Sequence, residues 1–119
     1  MATGHYDLKK AKNGQFYFNL VAANGDIILN SEMYTTKAAA NKGINSVRVN
    51  SPNKTRHEVR KNKSGKSYFV LKARNHQIIG VSEPYANEAS MKKCIQSVMK
   101  AGPTESIRDL TKPDLVKHN

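Results

Sequence analysis

Four histidines, one cysteine and two copies of a Ser-Glu-x-Tyr group are the residues of this chain whose side chains could carry chemistry. Nucleophilic catalysis needs a thiol or hydroxyl beside a base, and a zinc site needs three or four converging ligands. His5, His57, His76 and His118 show no mutual ligand spacing and have no cysteine close by in the chain. Cys94 stands alone in an apolar helical stripe, where a thiol is expected to pack as a small hydrophobe. Neither a Gly-x-Gly-x-x-Gly turn nor a Walker loop is present. These residues point away from an enzyme, and no metal or cofactor is expected.

Ser31-Glu32-x-Tyr34 and Ser82-Glu83-x-Tyr85 each fall between a strand-like run and a helix start. Free N–H groups and the helix dipole make such a place suited to anions, but the glutamate opposes that use. The expected role is structural: Ser and Glu bond the connection, and Tyr packs at the helix entrance.

Charge is the remaining functional signal. Twenty Lys and Arg stand against nine Asp and Glu, a net +11. Lys54, Arg56, Arg60, Lys61, Lys63, Lys66, Lys72 and Arg74 meet only Glu58 within their segment, which therefore holds +7 of that total. Tyr68 lies among them. Arginine and lysine hold phosphates while tyrosine stacks bases, so Arg56, Arg60, Lys61, Lys63, Lys66, Tyr68, Lys72 and Arg74 form the candidate nucleic-acid or polyanion set. No RNP-like aromatic motif accompanies them, and lysine on outer strands also discourages edge pairing. The expected function is that of a small non-catalytic binding or interaction protein. The alternative is a structural or stress-related accessory protein with no specific ligand, its charge serving solubility.

The elements that would position these residues come from a repeat. Shifting the chain by 51 positions aligns Gly14 with Gly65 without a gap, and 17 of the 36 pairs from Lys12 to Val47 are identical. A fixed period means one supersecondary unit used twice. Lys9/Arg60, Lys10/Lys61 and Lys12/Lys63 are repeat-related, so the basic arm occurs twice. Within each unit, alternation predicts strands around His5–Lys10, Phe16–Ala22 and Ile27–Ser31, and their equivalents. Asn13-Gly14 and Ser64-Gly65 predict hairpins, the first with a type I′ turn. Asn24-Gly25 and Asn75-His76 predict a second pair, with Asn tolerating left-handed backbone. Ala40, Ile44 and Val47, repeated as Met91, Ile95 and Val98, predict a helix in each unit. Thr35 or Thr36, and Asn87, are its expected N-caps. Pro52 and Gly102-Pro103 are its stops. Residues 107–112 echo residues 5–10 once more, with Asp7, Glu58 and Asp109 in register. They predict a closing strand, with a short polar tail after Lys112.

At 119 residues one domain is expected, with repeats over about 5–53 and 56–103 and the closing strand at about 106–112. Each unit alone would be marginal. A single cysteine excludes an internal disulfide and suits a reducing compartment. The first ten residues hold no apolar run, and no stretch approaches the roughly 18 apolar residues of a membrane span. A cytoplasmic monomer without membrane contact is expected.

The Gly-x-x-Tyr-Phe strand, the Ala-x-Asn hairpin, Ile-Ile, Ser-Glu-x-Tyr and a helix with Gly-Ile-x-Ser-Val resemble the YegP-like family of small bacterial proteins. The matching residues include Gly65, Tyr68, Phe69, Ala73, Ile78, Ile79, Ser82, Glu83 and Tyr85, and Gly43, Ile44, Ser46 and Val47 in the first copy. The resemblance implies tandem β(3)-α-β units in an α+β fold. They would share one antiparallel sheet with exchanged last strands, two helices and approximate twofold symmetry. A tandem chain then resembles a fused dimer of single units. The family brings no established activity. Cys94 in place of Gly43, and Pro84 in place of Met33, are departures within the second copy.

Overall fold

The computed structural model describes residues 4–111. Lys112, the polar tail and His118 lie outside them. Seven strands and two helices follow in order: β1 (Gly4–Lys10), β2 (Phe16–Ala22), β3 (Ile27–Asn30), α1 (Lys37–Asn50), β4 (His57–Lys61), β5 (Ser67–Lys72), β6 (Ile78–Val81), α2 (Glu88–Ala101) and β7 (Ile107–Asp109). All strands join one sheet in the order β4-β5-β6-β3-β2-β1-β7. Without β7 that order is palindromic about the β3/β6 pair, which is the twofold relation the repeat requires. The strand after α1 joins the second half beside β5, and the strand after α2 joins the first half beside β1. The last strand of each unit is thus exchanged.

One feature departs from the expected sheet. β1 occupies the place beside β2, so β7 lies outside it and pairs with β1 in parallel, whereas every other pairing is antiparallel. The register is Tyr6↔Ile107, Asp7↔Arg108 and Leu8↔Asp109. Relative to the echo, β7 is therefore slipped by one residue. A one-residue slip turns every side chain to the other face. Asp7 points to the helix-free face and meets Arg108, while Asp109 points to the helix side and binds Lys37 of α1. The third copy keeps the residue types but not their roles.

Helix ends follow the expected chemistry. The Thr36 hydroxyl accepts from Ala39 N–H and the Asn87 amide oxygen from Ser90 N–H, each capping one free donor. Ala40, Ile44 and Val47 share one buried core with Met91, Ile95 and Val98 and with Phe18, Leu20, Phe69 and Leu71 of the sheet. Burial pushes the Cys94 thiol pKa up, partly offset by a bond from Tyr85, and its Sγ donates to Ile28 O at 3.4 Å. It is a packed thiol. In the first copy the Tyr34 ring lies where a Cβ on Gly43 would project, which explains glycine there.

The hairpins form where expected, with a different turn. Gly14 N–H bonds to Ala11 O and Ala11 N–H to Gln15 O, and only Gly14 has positive φ (+88°). This is a type I turn closed by a left-handed residue, not a type I′ turn. All four hairpins repeat it. Asn13, Asn24 and Asn75 are not left-handed; their amide oxygens accept the N–H two residues on. The left-handed positions belong to Gly14, Gly25, Gly65 and His76, the last with φ +71°. His76 is exposed, and no fold requirement for its side chain is visible. His76→Gly is expected to stabilise the protein by about 0.5–1 kcal/mol through relief of that strain. Urea denaturation would show it as a higher midpoint with unchanged slope.

Candidate functional site

The sheet has one face under the helices and one free of them. Alternation and register set Glu58 and Arg60 of β4 beside Val70 and Tyr68 of β5 on the free face, with Lys72 next in line. Glu58 receives Lys72 Nζ at 2.7 Å and Arg60 Nε at 2.7 Å. Those bonds, Lys72 first and then Arg60, hold its carboxyl down at about 2. The ion chain lies across Val70, which is buried. Two cations of the candidate set are therefore already matched by a carboxylate.

The remaining candidates separate. Lys61, Lys63 and Lys66 are exposed at the β4–β5 turn and form no ion pair among the described residues. Tyr68 is half-buried one register step away, opposite Arg60. Arg56 and Arg74 lie at the other end of the hairpin, Arg56 in a 3-10 turn with a buried Nε and Arg74 in the β5–β6 turn. The eight residues do not converge on one place: Lys61, Lys63 and Lys66 cluster at the hairpin tip, Arg60 and Tyr68 pair behind them on the helix-free face, and Lys61, paired with Ser67, alternates to the opposite face from Arg60. In the first copy Lys9 stands over the Tyr17 ring at 6.0 Å, the repeat of the Arg60–Tyr68 pair.

In both Ser-Glu-x-Tyr groups the Ser and Tyr are engaged inside the fold, while Glu83 accepts from Asn30 Nδ2 at 2.8 Å and Glu32 is exposed. Ser31 Oγ accepts from Phe18 N–H at 2.8 Å and donates to Glu32 O at 2.7 Å, and Ser82 repeats this with Phe69 and Glu83. Tyr34 and Tyr85 bridge to β2 and β5 through their backbones. The connections tie strand ends together.

A groove that residue types alone did not single out runs between β4 and α2. It holds about 560 Å³ and is lined by Lys54, His57 and Val59 on one side and Lys92, Ile95, Gln96, Met99 and Lys100 on the other. Val59 is 46% exposed, although its repeat partner Leu8 is 1% exposed. His57 sits over Phe69 with its Nε2 3.0 Å from Ser51 O, and burial lowers its pKa. Its Nδ1 is buried without a partner among the described residues. The available signal was the pairing of an alternating strand with a lysine-bearing helix face, but only topology reveals that β4 is an edge.

Among the described residues no cluster of three or more potential metal ligands forms, and no helix is long and apolar enough to cross a membrane. The fold defines a class: a tandem-repeat α+β protein in which two units share a sheet as a fused dimer would. The chain belongs to the family of the domain of unknown function DUF1508, whose model matches residues 11–58 and again 62–109. A UPF0339 protein of Photorhabdus laumondii is 66% identical over 114 residues, covering 96% of this chain and all of that one. The UPF0339 protein YegP of Yersinia pestis is 57% identical over 93% of this chain and 99% of its own. The solution structure of YegP from E. coli, a protein of unknown function, superposes with a TM-score of 0.89 at 46% identity, covering 94% of this chain and 97% of that one. The two matches fit the structure: each runs from before a β2-type strand through the helix to an exchanged strand.

Proposed function

We propose that the protein is a non-catalytic interaction module that holds polyanions, single-stranded nucleic acid among them, at the tip of the β4–β5 hairpin. The supporting observation is the group of Lys61, Lys63 and Lys66 at the hairpin tip, exposed and without carboxylate partners among the described residues, with Tyr68 and Arg60 behind it on the helix-free face. Phosphates would meet the lysines, and a base would stack on Tyr68. Such contacts position a backbone without reading sequence. Arg56, Lys72 and Arg74 would add to the field rather than touch the same stretch of ligand.

The test is fluorescence anisotropy with labelled single- and double-stranded oligonucleotides over a range of salt. The logarithm of affinity should fall with the logarithm of salt by about 0.7 per phosphate contacted on a single strand. Replacing Lys61, Lys63 and Lys66 together with Ser should reduce that slope by about 2 and weaken every sequence alike. Tyr68→Ala should weaken single strands in particular, by roughly 1–3 kcal/mol. Absence of binding by folded protein at low salt rejects the reading and leaves the accessory protein without a specific ligand.

A further inference from the structure

The two repeat-related outer strands are treated differently by the fold. Beyond β1 lies β7; beyond β4 no strand lies among the described residues. On the β1 side, Tyr6 N–H donates to Ser106 O at 2.9 Å and Leu110 N–H to Leu8 O at 2.8 Å. Tyr6 OH reaches Gly102 O at 2.6 Å, and Arg48 stands 5.8 Å over the Tyr6 ring while its Nε donates to Thr104 O. The segment from Gly102 to Leu110 thereby closes the space between β1 and α1, and Tyr6 and Leu8 are buried.

On the β4 side the same space is the groove. β4 pairs with β5 in the register that β1 uses with β2, so His57 and Val59 stand where Tyr6 and Leu8 do. Their outward backbone groups are those that bond β7 in the first half. His57 N–H is taken by Lys54 O. Val59 therefore offers the N–H and C=O, beside its own exposed side chain. The floor is apolar (Val59, Ile95, Met99) and the rim is cationic (Lys54, Lys92, Lys100), with no acidic residue in the lining.

We propose that this edge and groove dock an extended segment of a partner polypeptide by strand addition, running parallel to β4 as β7 runs along β1. Main-chain bonds to an edge give affinity, and alternate side chains give specificity. The groove takes one apolar side chain on Val59, Ile95 and Met99. The lysine rim selects acidic residues flanking it, as Lys37 selects Asp109 in the first half. No basic residue is demanded opposite Glu58, because Arg60 and Lys72 already bind it, whereas Asp7 takes Arg108 from β7. This site is separate from the hairpin tip and does not rest on polyanion binding there.

The test uses the chain's own filler as ligand: a capped peptide of residues 105–111, added to the full-length ¹⁵N-labelled protein and followed by amide shifts. Saturable shifts in β4 and along α2, with a dissociation constant below roughly 1 mM, are expected. The same peptide scrambled should not produce them. Val59→Pro removes the outward N–H from an edge position that tolerates proline, and should weaken binding at least about tenfold. Lys92→Glu with Lys100→Glu alters only exposed rim residues and should weaken it comparably. Triple replacement of Lys61, Lys63 and Lys66 should leave peptide binding intact, whatever it does to oligonucleotides. No shifts at the highest peptide concentration, equal shifts from the scrambled peptide, or shifts that grow with protein concentration alone would overturn the proposal, the last by making a second copy the occupant.

Discussion

Gly80→Leu is expected to destabilise the protein by about 2–3 kcal/mol, although Gly80 has ordinary backbone and its repeat partner is already a leucine. The partner is Leu29. β3 and β6 meet at the pseudo-twofold axis, so these two positions face one another across it. A Cβ on Gly80 would run into the Leu29 side chain, which is 1% exposed. Two identical residues would either collide there or leave a hole. The tandem chain fills the space with one large residue and none opposite. Leu29→Gly should cost more, about 3–5 kcal/mol, since it opens a cavity and loosens a strand. The double exchange, Leu29→Gly with Gly80→Leu, moves the same volume across the axis. It should recover to within about 1.5 kcal/mol of the parent. Urea denaturation of the four proteins gives the coupling directly. A double variant as unstable as the sum of the two singles would show that the halves are not interchangeable at the axis.

That complementarity was invisible in the sequence for a physical reason. The 51-residue period fixes which residues are equivalent, and alternation fixes which face they take, so the sheet, the helices, their caps and the core of Leu20, Leu71, Ile44 and Ile95 were legible. Which equivalents touch depends on how the two units are placed, and no local pattern encodes it. The Leu29/Gly80 difference reads as drift until the axis is known. The same limit hid the groove: Val59 and Leu8 are both alternating aliphatic residues, and only the route of the chain after α2 covers one of them. Turn chemistry was misread at Asn13 because Asn-Gly fits both a type I′ turn and a turn in which Gly alone is left-handed. At the candidate site, the basic run was legible as charge. Strand pairing, which set Glu58 between Arg60 and Lys72 and left Lys61, Lys63 and Lys66 without an ion pair among the described residues, was not.

Ending the chain after Thr104 is expected either to lower the melting temperature clearly or to turn the protein into a dimer. The lost segment does three things. It hydrogen-bonds the outer edge of β1, which would otherwise present unpaired backbone beside Tyr6 and Leu8. It supplies Arg108, whose Nε and Nη2 reach the Asp7 carboxylate at 2.9 and 3.2 Å. It supplies Asp109, whose partial removal from water would raise its carboxyl pKa but whose bonds from Lys37 and Thr111 together hold it far below the ordinary range. Of these, the Asp7 pair is decisive, because the Asp7 side chain is only 8% exposed and would keep just His5 Nε2, 3.1 Å away, as a neighbour. Stripping the partner from a buried charge costs about 3–5 kcal/mol when both are buried. Arg108 is 64% exposed, so solvent screens the pair and about 2 kcal/mol is the better expectation for Arg108→Met alone. Truncation adds the open edge, which favours pairing with a second molecule. Thermal melts and sedimentation of the truncated chain, with and without a peptide of residues 105–111, separate the effects. Recovery of melting temperature and monomeric mass on adding the peptide would place it back on β1. A truncated chain that stays monomeric and melts as before would mean that β7 contributes nothing to the fold, and the exchanged strand would lose its role.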